Sequence, residues 1–175
     1  MSRNNTKRLT VCAMLAALGV IFLYVGSLIE VVDISMAVLA SMLSVIAVIE
    51  YGKGAPWFVF FTTAVLGCIL APPWSGFGGT LYYVAFFGFY PILKEYFEKM
   101  KKVTAWICKE IVFNVCLAAV IAVLRFVFFA QVSVSIPMYV TLVVLCEVVF
   151  ILYDVALTRL ITFYIYRLRD RFKFK

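Results

Sequence analysis

The sequence predicts an all-α fold: an integral membrane bundle of six transmembrane helices with both termini cytoplasmic. Three observations point there. Of the 175 residues 66% are hydrophobic and only 14% are charged, with a mean hydropathy of +1.08. That leaves too little polar surface to cover a soluble domain. The apolar residues form continuous runs, not the alternating segments of about ten residues that a membrane barrel needs, and a helix satisfies its backbone polar groups within each run. The third observation is charge asymmetry. Arg3, Lys7, Arg8, Lys53, Lys94, Lys99, Lys101, Lys102 and the five basic residues from Arg167 to Lys175 all fall at one set of connectors. The opposite set, Glu30–Asp33, Pro72–Gly79 and Gln131–Ile136, carries none. Lys and Arg in short loops stay in the cytoplasm, so the span number is even.

The first span runs from about Leu9 to Ile29. At about twenty residues it is too long for a signal-peptide core, and no small-residue cleavage site ends it, so it is expected to remain as a helix. Glu30 and Asp33 make an outer turn, where ordinary turn residues are the simpler reading of both acids and attraction of a cationic solute the other. The second span covers 34–49 and ends at Glu50-Tyr51-Gly52-Lys53-Gly54, whose two glycines and lysine mark an inner turn. The third, 55–71, opens on Ala55-Pro56, proline being tolerated in a first turn.

An outer loop, Pro72 to Gly79, precedes a short aromatic fourth span, 80–93, with Gly88 and Pro91 as kink points. Lys94 to Lys102 reads as a charged helical stretch at the inner surface. The fifth span, 104–130, and the sixth, 138–166, are long, and Trp106, Tyr164 and Tyr166 stand where inner-interface anchors belong. A bilayer needs about twenty residues per helix. One transmembrane domain, 1–175, accounts for the chain, with no internal repeat and no soluble domain.

Composition also restricts chemistry. The chain has no histidine, and Cys12, Cys68, Cys108, Cys116 and Cys146 are scattered singly in or beside apolar runs. They read as small buried hydrophobes. No metal, no cofactor and no catalytic residue is expected, nor an enzyme, because no carboxylate falls into a recognisable catalytic spacing. The net charge of +7 follows from membrane topology and headgroup attraction; no nucleic-acid groove is expected. Gly76-Phe77-Gly78-Gly79 lacks the Lys-Ser/Thr of a phosphate loop.

Several polar residues interrupt the apolar spans. Glu110, Asn114 and Arg125 share one face of the fifth helix, and Glu147 and Asp154 one face of the sixth. An ionised group at the centre of a span costs about 2.5–3.5 kcal/mol on insertion scales, so these should face protein or water. At about 1.5 Å per residue from Pro137, Glu147 lies roughly 15 Å deep, within reach of Arg125. Asp154 and Arg159 lie deeper, near Glu110 and Lys109. Salt bridges locking the two helices, a ligand or ion site using Arg125 and Glu147, and a proton path are the three readings. Trp74, Tyr82 and Tyr83, with Pro72, Pro73 and Phe77, form an outer aromatic patch. It reads as an interfacial belt or as a lid over a planar ligand.

Ala13 and Ala17 make a small-xxx-small step in the first span, continued by Gly19 and Gly26; Ala37, Ala40, Ser41 and Ser44 do the same in the second. Small residues let helices approach closely in lipid, either within this chain or against another subunit. The basic start, the run Arg8-Leu9-Thr10-Val11-Cys12-Ala13-Met14-Leu15-Ala16-Ala17-Leu18 and six compact spans resemble the substrate-binding S components of energy-coupling factor transporters. The resemblance implies that Ala13 and Ala17 contact a transmembrane coupling subunit, with two cytoplasmic ATPases completing the complex. It also implies a vitamin-like solute bound near the outer face, by the region of Trp74 and the polar residues of the last two spans. The alternative class is a non-transporting membrane scaffold of a cell-envelope assembly. The alternating basic and apolar tail from Arg167 suits anionic headgroups or an acidic cytoplasmic partner.

Overall fold

A computed structural model describes residues 3–52, 54–70, 78–127 and 136–168, and every regular element among them is helical. In order these are α1 (Arg3–Leu28), a 3₁₀ turn (Glu30–Val32), α2 (Asp33–Tyr51), α3 (Ala55–Leu70), α4 (Gly78–Tyr82), a π-helical turn (Tyr83–Phe87), α5 (Tyr90–Phe97), α6 (Lys102–Val127), α7 (Ile136–Phe163) and a second π turn (Tyr164–Leu168). Four helical stretches are long and apolar enough to cross a membrane: Thr6–Leu28, Asp33–Tyr51, Lys102–Val123 and Val140–Arg167. Ala55–Leu70 is apolar but shorter.

The chain divides into two compact units, Met1–Val120 and Ile121–Lys175. In the first, α1 packs on α2 and α3, and α2 also carries α4, the π turn and α5. Small residues line these contacts. Cys12, Ala16, Ala47, Ala55 and Val59 form one cluster, and Leu23, Ala37, Ala40, Phe60, Ala64, Tyr83 and Ile92 another. Where both core and lipid are apolar, close approach of backbones selects the buried stripe, because packing replaces the hydrophobic drive between helices. Gly19 meets Thr63 and Gly67 meets Leu23 and Thr80 for this reason.

The expected fourth span is not one helix. Five residues of α4 pass into the π turn, and the backbone restarts as α5 beyond Phe89. Gly88 lies between the π turn and α5, and a Cβ there would stand 2.6 Å from the Phe60 ring. Pro91, in the first turn of α5, has no amide to donate and suits a helix start. A second difference concerns Lys94. The sequence places it on a charged inner surface, whereas its side chain is fully buried on α5, with Glu98 3.5 Å away. Helix α5 ends at Phe97, before the end of that charged stretch.

In the second unit, α7 buries one stripe, Phe150, Tyr153, Asp154 and Leu157, continued by Tyr164. Its remaining faces carry exposed Val, Leu and Ile side chains, the composition lipid tails accept.

Candidate functional site

Helix α1 buries one stripe. Cys12, Ala16, Val20 and Leu23 are buried at helical spacing, and Ser27 continues the stripe. Ala13 and Ala17 border that stripe and are exposed, among exposed Leu9, Met14, Leu18 and Ile21. The step is therefore not used for packing inside this unit.

A hydroxyl layer runs through the core of the first unit. Ser41, Ser44, Thr63, Thr80 and Tyr83 are all buried. The Tyr83 hydroxyl lies 3.5 Å from Ser44 Oγ, with Thr63 a second hydroxyl neighbour, and Thr63 Oγ1 donates to the Ala16 carbonyl at 3.4 Å. These distances are long beside the usual 2.7–2.8 Å or so of a hydroxyl bond. Ser41 instead makes a short bond, 2.6 Å, to the Val38 carbonyl of its own helix. Tyr83, expected in an outer aromatic patch, belongs to this layer, while Tyr82 is half-buried. Trp74 lies outside the described residues.

Above this layer stands Asp33, the first residue of α2. A Cβ added at Gly78 or Gly79 would overlap its carboxylate, and one at Gly26 would come within 3.3 Å of Oδ1. Three glycines from α1 and α4 thus surround one acid. The acid also stands in the first turn of α2, where the helix dipole favours negative charge. Sequence reasoning treated Asp33 as a turn residue. The adjacent glycines at 78 and 79 were its signal, 45 residues away.

The opposite end of the first unit is basic and aromatic. Arg8 lies 6.0 Å from the centre of the Tyr51 ring and near Gly54, at the turn between α2 and α3. Lys99 pairs with Glu95 at 2.8 Å, which holds its amine above the ordinary value, and it lies over Tyr96. Lys109 is buried with its amine 5.4 Å from the Trp106 ring centre.

The polar residues expected in the last two spans fall as follows. On α6, Glu110 is half-buried, Asn114 exposed with its amide donating to the Glu110 carbonyl, and Arg125 exposed in the last turn. On α7, Glu147 is half-buried, Asp154 is buried at 3% exposure, and Arg159 is exposed. The Asp154 carbonyl accepts a bond from Thr158. An open apolar groove of about 420 Å³ follows Val140, Thr141, Val144, Leu145 and Val148. Among the described residues, no group of three or more His, Cys, Asp or Glu could hold a metal ion.

The chain matches no protein-family model, no curated protein and no solved structure.

Proposed function

We propose that this chain is a membrane-embedded substrate-binding subunit for uptake of a small, vitamin-like solute, energised by separate ATPase subunits. Six spans, with 80–93 as the fourth, would put both termini in the cytoplasm. The basic connectors of the sequence then all face inward, and the turn at Asp33 and the start of α4 face outward.

The observation that carries this reading is the exposure of Ala13 and Ala17. An unused small-xxx-small step on a membrane helix lets a second helix approach to backbone contact. A coupling subunit resembling the transmembrane component of energy-coupling factor transporters suits that step. Arg125 and Glu147 are proposed to contact the solute.

Ala13→Trp and Ala17→Trp test the proposal. Both should abolish co-purification with a transmembrane coupling subunit and its ATPases while leaving the isolated chain monodisperse. Co-purification at the wild-type level would remove this interface.

A further inference from the structure

We infer that Gly78–Phe87 is a movable wall of the bundle, latched at its first turn by the Asp33 carboxylate and anchored at its other end by aromatic packing. The two ends of this segment are held by unlike forces. At the first turn the Asp33 carboxylate fills the space beside Gly78 and Gly79, and Met36 shares with it the space beside Gly26. Below it the segment meets α2 and α3 through the hydroxyls of Thr80 and Tyr83, and then through the Tyr83 ring packed on Phe60. Thr80 packs on Gly67, and Tyr83 reaches Ser44 only at 3.5 Å. Such contacts separate at less cost than interlocked aliphatic chains, because hydroxyls regain hydrogen bonds with water.

The other end is tightly fixed. Phe86 stacks obliquely on Tyr90 at 4.7 Å between centroids and meets Phe113 edge to face at 5.3 Å. Gly88 lies directly against Phe60 and Tyr83. Between the two ends stands the π turn, a helical form that is rare and recurs where helices serve function. Release of Asp33 should therefore swing the α4 end outward about the aromatic anchor and bring water to Thr80.

The latch requires only the folded bundle. It goes beyond the solute-uptake reading, and a failed pull-down of coupling subunits would leave it standing. The test uses Thr80→Cys in the full chain, purified in detergent, with labelling by a charged maleimide read peptide by peptide. With Asp33 present, Thr80→Cys should react slowly. Adding Asp33→Ala should raise its rate at least about tenfold, and Gly79→Ala, whose methyl takes the carboxylate's place, should do the same. Ala47→Cys, buried in α2 nearer the opposite end, should stay protected throughout. Equal Thr80→Cys rates with and without Asp33 would overturn the latch. So would parallel exposure of Ala47→Cys, since that reports general loosening.

Discussion

Gly19 of α1 and Thr63 of α3 meet so closely that a Cβ on the glycine would stand 3.0 Å from Thr63 Cγ2 and 3.2 Å from its Oγ1. The same threonine donates to the Ala16 carbonyl one turn earlier. One hydroxyl-bearing side chain thus sets the distance between the two helices. Gly19→Leu should cost about 1–3 kcal/mol through overpacking, read as a lower unfolding midpoint in detergent. Thr63→Ala in the same chain should recover part of that loss by making room. No recovery would show that the contact does not limit the approach.

Gly88 offers a stricter case. A methyl there would lie 2.6 and 2.7 Å from Phe60 ring atoms and 2.9 Å from Tyr83, and rings cannot yield as a flexible chain end does. Gly88→Ala should destabilise by about 1–3 kcal/mol despite gaining helix propensity. An increase in midpoint would contradict the described junction of α4 and α5.

Lys94 and Glu98 pair across very different surroundings, the lysine side chain 1% exposed and the glutamate 47%. Losing Glu98 should therefore matter little and losing Lys94 much. Glu98→Gln is expected to change stability by less than about 1 kcal/mol. Lys94→Ala, which leaves its buried stem unreplaced, should cost about 2–4 kcal/mol. Comparable losses from both variants would refute the asymmetry.

Lys99 gives a pH signature. The hydrogen bond with Glu95 raises its amine above the ordinary 10.5. A raised folded value means the contribution is fully present below the unfolded value and disappears as pH climbs through the folded one. The difference in unfolding midpoint between wild type and Glu95→Gln should be flat from about pH 6 to 9 and shrink only above about 10.5. A difference that vanishes near neutrality would assign the effect to another group.

These relationships differ in how far the sequence revealed them. Helices were legible because uninterrupted apolar runs leave the backbone no other partner in lipid. The small-residue step at Ala13 and Ala17 was legible too, but not the direction it faces. Cys12 and Ala16 form an equally small stripe one residue earlier, and the neighbours of α1 chose that one. Lys94 misled because charge clusters usually mark a surface, and burial of one member depends on how α5 lies on α2. Beside the break between the π turn and α5, Gly88 meets Phe60, some 28 residues upstream. The Asp33 cradle likewise joins residues 45 apart, and no local pattern records such a pairing. Trp74 and the tail beyond Leu168 lie outside the described residues.

The most direct measurement is mass spectrometry of small molecules released by denaturing the chain after mild detergent extraction. The account predicts one solute retained near a one-to-one ratio, depleted at least about tenfold by Glu147→Ala or Arg125→Ala in a chain that still folds, which is about 1.4 kcal/mol of affinity. A wild-type preparation that releases no solute, and takes up none from a panel of labelled vitamins, would contradict the binding role and leave a scaffold.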